Sequence, residues 1–448
     1  MQIRKKPISK LGLGVLSSLS ESYMLLPFTI FSSLLSGKIA TVNFFVPVVI
    51  LYSIERACLI ALRGFGKISN PYRIMKSGMV MALSGALLMV LSYLYRPLLI
   101  VSSLLIGVGL SPVRAMFIPV FSILAERDAS LKKGKSIGMI LYLLIMILAL
   151  GLGKSNLPIV PLLFLLYISS ALWIVLRLDG DALFDGRKAF DTSKKSPAFF
   201  IFGILALLSL LILRQYQQSG VSVLMWLTPI AVIFFIDVEM YRRRHYMDYS
   251  FQTYWVGAMK SFVLLYSLVY HTSVSNTTMA MLVYLAIAVS GIVSDMVRKM
   301  MAKHLSGSRL NNVCILLSAV LSFLLTLPSQ VVNLTGIVLC GIFANIVVSE
   351  VSARYMKDER YVREERALVR IRLQTTGSII EQLILFFTIY MLGEMRIHQN
   401  LLEPYAAGIP NPGVSLLLRT TGLICCTLLL LGAVLIVCFA GKRRKNGT

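Results

Sequence analysis

The chain has 448 residues, 57% of them hydrophobic and 14% charged, where an ordinary soluble domain carries about 25% charged residues, so a soluble globule is excluded. Lysine and arginine total 44 against 20 acidic residues, a net charge of +24. In a soluble protein that balance would point to nucleic acid, so the position of the charge decides its meaning. The cysteines Cys58, Cys314, Cys340, Cys425, Cys426 and Cys438 all fall in apolar runs with no CxxC spacing. That placement predicts small buried side chains, neither a disulfide framework nor a zinc site.

In chain order, Arg4, Lys5, Lys6 and Lys10 precede an apolar run at 11–35 that is longer than the core of a signal sequence and lacks a small-residue cleavage site. It reads as a retained first helix. Further apolar runs follow at 40–62, 74–94, 98–125, 136–152, 158–176, 198–213, 222–240, 252–270, 278–297, 311–327, 331–352, 374–392 and 413–440. They lack the alternation of a barrel strand, and in lipid a helix is the form that satisfies its own backbone. A crossing uses about 20 residues, so fourteen take about 280 of the chain and leave no room for a sizeable soluble domain. The expected fold class is an all-α integral membrane protein with fourteen transmembrane helices.

Charge placement supports the count. With the N-terminus inside, eight inner segments hold 35 of the basic residues and the outer connections hold five, Lys38, Arg96, Lys154, Arg214 and Arg396. Cytoplasmic connections retain Lys and Arg, so both termini are expected in the cytoplasm, in a multi-pass protein of the plasma membrane. The +24 charge then orients the chain and meets anionic membrane lipids, and no nucleic-acid partner is needed. Two inner connections are longest. Leu178 to Pro197 is polar and follows the sixth helix, as a linker between halves would, while Ser352 to Gln374 is dense in Arg and Glu, with Glu359 and Arg363 spaced for a short surface helix.

An internal repeat is visible. Gly107 to Ala115 in the fourth run and Gly336 to Ala344 in the twelfth both fit G-[VI]-x-L-x4-A, at an offset of 229 residues and in topologically equivalent positions. Repeats of this kind build transporter sites between two halves. The fourth helix, with Gly107, Gly109, Pro119 and then Glu126-Arg127 and Gly134 to Gly138, resembles that of the major facilitator superfamily. Gly291, Asp295, Arg298 and Lys299 resemble the family's loop signature G-x-x-x-D-x-x-x-R, with Lys299 in the last place and Arg298 one position early. The first-half equivalent, Ala61 to Lys67, keeps glycine and basic residues but has Leu62 where the Asp would stand, and Ser103 occupies the place of the antiporters' arginine.

The resemblance implies two pseudo-repeated six-helix bundles plus two inserted helices. The divisions are a first half at 1–177, a cytoplasmic linker at 178–197, inserted helices at 198–248 and a second half at 249–448. It also implies that Asp295, Arg298 and Lys299 latch the cytoplasmic side, and that the first and fourth helices of each half line a cavity.

Ionisable groups inside a membrane cost about 2.5 to 3.5 kcal/mol each on insertion scales, so they are expected to face a cavity or one another. Glu21, Arg114 and Lys260 lie deep in the first, fourth and ninth runs, and Asn345 lies in the twelfth. Arg114, Lys260 and Asn345 are therefore the candidate substrate-binding residues, since Arg and Lys suit an anionic group. Glu21 is the leading candidate for proton coupling, with Glu55 and Glu381 as further ones. Glu55 and Arg56 are adjacent and expected to point in different directions, and Arg419 is expected to snorkel to the outer surface.

Enzymatic readings find no support. His245, His271, His304 and His398 fall in loops or helix ends, there is no HExxH, and Gly134-Lys-Ser lacks the first glycine of a P-loop, which is Ala129 here. The expectation is a non-enzymatic secondary transporter without metal or cofactor, moving an anionic or amphiphilic small solute by alternating access with protons. The resemblance to fourteen-helix members implies export. A flippase for a lipid or lipid-linked saccharide, and a non-transporting membrane sensor or assembly factor, stay open as alternatives.

Overall fold

The computed structural model describes residues 9–22, 46–128, 159–178, 180–215, 248–274, 277–305, 307–397 and 411–445, with scattered positions at 26–31, 131–148 and 234–237. The expected helix at 222–240 lies almost wholly outside the described residues. The long helices are α1 (Lys10–Ser22), α2 (Val46–Ala61), α3 (Pro71–Leu91), α4 (Leu98–Arg127), α5 (Ile159–Arg177) and α6 (Pro197–Gln215). They continue with α7 (Asp248–Val274), α8 (Thr277–Met301), α9 (Gly307–Leu321), α10 (Gln330–Lys357), α11 (Arg363–Ile397) and α12 (Ser415–Lys445). Among the described residues seven helices are long and apolar enough to cross a membrane. The chain is an all-α, multi-pass integral membrane protein.

Contacts divide it into two units, residues 1–214 with 359–369, and residues 215–358 with 370–448. In the first, α3 starts at Pro71, whose missing N–H costs nothing at a helix start, and buried Asn70 caps it by accepting from Arg73 N at 3.2 Å. α3 and α4 approach closely because Gly78 and Gly109 face each other; a β-carbon on either would lie 2.5 Å from the other's carbonyl oxygen. Pro112 and Pro119 sit inside α4, tolerated there as they are in membrane helices generally. Tyr72 on α3 donates its hydroxyl to the carbonyls of Val175 and Leu178 at the end of α5.

The polar segment expected as a linker is folded onto this unit. Lys67–Ile68 (β1) pairs antiparallel with Phe190–Asp191 (β2), and Phe65 packs on Phe190 and Phe200 with ring centroids 5.8 and 5.4 Å away. Gly66 leads into β1 at φ 135° and lies against the Asp191 carbonyl, where a side chain would be strained and would collide. Asn70 Nδ2 donates to Asp181 Oδ1 at 3.3 Å and to the Arg187 carbonyl at 3.1 Å, and Arg73 Nε donates to Asp181 at 2.7 Å. That arginine hydrogen bond holds the Asp181 carboxyl below its usual range, so its contribution is present at neutral pH and fades as pH falls through the lowered value.

In the second unit α7 is enclosed on nearly every side. Added β-carbons on Gly257 and Gly377 would overlap the carbonyls of Gln374 and Tyr254 respectively, so α7 and α11 touch backbone to backbone. Trp255 Nε1 donates to the Leu429 carbonyl at 2.9 Å, tying α7 to α12, and Tyr266 lies flat over Gly422. α9 tightens into a 3-10 turn at Ser322–Thr326, and buried Asn333 donates to the carbonyls of Leu324, Leu325 and Leu327 that this end exposes.

Two expectations change. The Arg- and Glu-rich connection at 352–374 is mostly helix, the ends of α10 and α11, and Arg370 and Arg372 are buried within it rather than lying on a surface helix. The repeat offset also differs from the sequence pattern. Gly107 of α4 packs on Ile54 of α2, whereas Gly336 packs on Leu324 and Leu325; the glycine of α10 that meets the matching helix, α8, is Gly341 against Ser290, 234 residues after Gly107. A second pair of contacts has its own, longer step: Gly14 lies against Gly134 as Gly257 lies against α11 near Gly377, and Gly14 to Gly257 and Gly134 to Gly377 are both steps of 243 residues.

Two measurements check this packing. Gly257→Val is expected to destabilise the second unit by overpacking, by about 1–3 kcal/mol or more, and to lower the midpoint of heat-induced loss of the monodisperse peak in detergent. Gly432→Ala, whose added carbon would meet the Trp255 ring at 3.3 Å, is expected to change that midpoint far less. Asn70→Ala is expected to cost about 1–2 kcal/mol through the lost cap and hydrogen bonds, and to raise the rate of tryptic cleavage within residues 180–195.

Candidate functional site

The polar groups that the sequence places deep in the helices are gathered as follows. In the second unit Lys260 on α7 donates from Nζ to Asn345 Oδ1 on α10 at 2.9 Å, and Asn345 Nδ2 donates to Ser290 Oγ on α8 at 3.4 Å. Three helices therefore meet at one polar cluster. Ser290 is fully buried and gives its own proton to the Ile287 carbonyl, while Lys260 and Asn345 are half-buried. Gly341, one turn before Asn345, lies against Ser290 and lets α8 and α10 close on each other at this level. Ser290 carried no sequence signal, because a serine in an apolar run is ordinary until its neighbour is known.

In the first unit Arg114 is half-buried in α4. Glu21 lies in the last turn of α1, and its side chain is outside the described residues. Glu55 is 1% exposed on α2, and Arg56 folds back beside it, Nε to Oε2 2.9 Å, with its guanidinium 5.1 Å from the centre of the Tyr52 ring. The two adjacent side chains thus pair instead of diverging: the long arginine reaches back where the helix alone would separate them. Of the four candidate cavity residues, Lys260 and Asn345 are brought together within one unit, while Glu21 and Arg114 belong to the other.

Glu381 is 3% exposed on α11, eighteen residues after the helix begins, because α11 starts at Arg363 and not near 374. Its Oε1 accepts no hydrogen bond among the described residues. Arg419, expected to snorkel, instead donates from Nε to Tyr270 Oη at 3.1 Å. Of the cysteines, Cys314, Cys340, Cys425 and Cys426 are buried, Cys58 is half-buried and Cys438 is exposed.

The loop signature sits at the end of α8. Asp295 is exposed and stands 3.8 Å from Arg298 on its own helix, while Arg298 Nη1 lies 3.5 Å from Glu350 Oε1 on α10. The cross-helix partner here is therefore Glu350, and Lys299 is exposed. A second charged cluster was not foreseen. Arg363 reaches Glu126 Oε1 at 2.5 Å and Ser122 Oγ at 3.0 Å on α4, and Glu365 accepts from the backbone N–H of Ile68 in β1 at 3.2 Å. These residues belong to the first unit, to which segment 359–369 contributes. Among the described residues no group of His, Cys, Asp and Glu could hold a metal ion.

No family model matches the sequence, and no curated protein matches it. Solved structures do. The nucleoside transporter NupG is 11% identical with a TM-score of 0.53, covering 96% of this chain and 98% of its own. A POT family transporter in complex with 5-aminolevulinic acid is 15% identical with a TM-score of 0.62, covering 96% of each chain. The major facilitator superfamily transporter FucP, in the outward conformation, is 12% identical with a TM-score of 0.51, covering 95% of this chain and 97% of its own. Similarity that runs the full length at so low an identity is similarity of fold, and the chain has the fold of these transporters carried by a divergent sequence.

Proposed function

We propose that the protein is a secondary transporter that moves an anionic or zwitterionic small solute by alternating access, coupled to protons. The observation that carries this reading is the Lys260–Asn345–Ser290 cluster, a cationic group and an amide held on three helices inside a fold shared with transporters. Lys260 is held half-buried among these helices with an amide beside it, and a cationic donor so placed suits an acidic group of a solute. The POT family neighbour holds 5-aminolevulinic acid, an acid of the size such a site would take. In this reading Arg114, Lys260 and Asn345 bind substrate, and Glu21, Glu55 and Glu381 exchange protons. Asp295, Arg298 and Lys299 act with Glu350 in gating the cytoplasmic side.

The reading keeps fourteen crossings, cytoplasmic termini, a plasma-membrane location, contact with anionic lipids, and export as the direction. It also keeps the two halves joined at 178–197 and the inserted pair at 198–248. The helices that fall short of a membrane-crossing composition include α7, whose polar residues lower its hydropathy. α7 is enclosed by protein, and a helix so placed needs no apolar surface for lipid.

In proteoliposomes with an imposed pH gradient, Lys260→Ala is expected to reduce uptake of a carboxylate substrate at least tenfold, mainly through a raised KM. Glu381→Gln is expected to abolish accumulation driven by the gradient while leaving exchange across equal pH. Unchanged uptake in the first and unchanged accumulation in the second would remove the mechanism. For gating, Arg298→Glu and Glu350→Arg are each expected to slow turnover severalfold. The double variant is expected to recover most of it, and strict additivity would show that the pair is not coupled.

A further inference from the structure

The face of α7 that carries Lys260 continues toward the outer end of the helix. At 100° per residue, positions 260, 264, 267 and 271 fall within a sector of about 60°, so Lys260, Leu264, Ser267 and His271 form one stripe. Ser267 is 2% exposed and His271 is 1% exposed, and neither Ser267 Oγ nor His271 Nδ1 has a hydrogen-bond partner among the described residues. Leu264, between them and Lys260, is only half-buried. The sequence places His271 at a helix end; the structure encloses it in the last turn of α7.

Its ring stands edge-on to Tyr270, centroids 5.4 Å apart, and Tyr270 is in turn held by Arg419. The imidazole is thus braced from the side while its Nδ1 is left unused. A buried polar atom without a partner is costly, because it has given up water and gained nothing in return. Among the described residues α7 carries five such atoms, and the two that share one helical face with a cationic group point to a ligand that supplies what the protein does not.

We propose that Ser267 and His271 form an outer subsite continuous with Lys260 and Asn345, and that the transported solute is elongated and polar at both ends. Its acidic end is held by Lys260. Its other end carries a hydrogen-bonding group that meets Ser267 and His271, seven and eleven residues along the helix or about 10–16 Å away. A short apolar middle passes Leu264. This deepens the transporter reading and rests on Lys260 as the anion site. Ser267 and His271 then set which acids are taken.

The test uses the purified full-length protein in lipid nanodiscs, with octanoate and its ω-hydroxy and ω-amino derivatives as probes of equal length, read by calorimetry. The wild type is expected to prefer at least one ω-substituted acid to octanoate by roughly tenfold, since a site built to hydrogen-bond a substrate group rejects the analogue lacking it. His271→Phe and Ser267→Ala are expected to erase that preference while octanoate binding stays within twofold, which a merely structural role would not separate. Absence of the preference in the wild type, or its persistence in both variants, would overturn the subsite, as would an equal loss for all probes in both variants. Lys260→Ala is expected to weaken all three probes alike. If it binds them as the wild type does, the anion-site reading fails by a different arm of the same experiment.

Discussion

Enclosure of α7 is the constraint on which the second unit depends. The helix carries Lys260, Ser267 and His271 through the interior of a membrane protein, where a buried polar group must meet protein or ligand. α11 therefore has to lie directly against α7, and it can because Gly257 and Gly377 leave room for backbone contact. Small residues at a helix interface do in lipid what apolar side chains do in water, since packing and not water exclusion brings membrane helices together. With α11 and α12 in place, Trp255 and Tyr266 are fixed from the far side. The Lys260 stripe then faces α10, where Asn345 receives it.

The first unit obeys a related rule with different parts. Gly14 with Gly134, and Gly78 with Gly109, bring helices into contact, and the freed polar atoms at helix ends are capped by side chains from elsewhere in the unit, Asn70 and Tyr72 among them. At its charged end the unit is tied by segments far apart in sequence. β2 comes from the polar segment after α5, and Arg363 and Glu365 come from the first turn of α11. Exposed ion pairs contribute little to stability on their own. The contact of Arg363 with Glu126 matters for position, since it joins residues 237 positions apart within one unit.

Reading the chain from its residues succeeded where the signal was periodic or summed over many positions. Apolar runs gave an all-α membrane protein, and seven of the described helices are long and apolar enough to cross a membrane. Deep ionisable residues stood out because lipid makes them expensive, so Lys260 and Asn345 could be chosen before their contact was known. The reading failed where a single neighbour decides. The G-[VI]-x-L pattern matched Gly107 with Gly336, yet Gly341 is the glycine that meets the corresponding helix, since a small motif in apolar sequence does not say which face it lies on. Arg56 was expected to diverge from Glu55, but its side chain is long enough to return to it.

What the sequence determined by itself was the solvent: a chain with 57% hydrophobic and 14% charged residues has to be helical and enclosed by lipid, because a backbone buried in hydrocarbon must satisfy its own hydrogen bonds. Which helices touch, that Glu350 rather than Asp295 faces Arg298 across helices, and that Ser290, Ser267 and His271 join the polar interior of the second unit, was decided only in the tertiary structure. Those outcomes depend on contacts between residues tens to hundreds of positions apart, and the angle at which two helices meet is set by the glycines and side chains at their crossing.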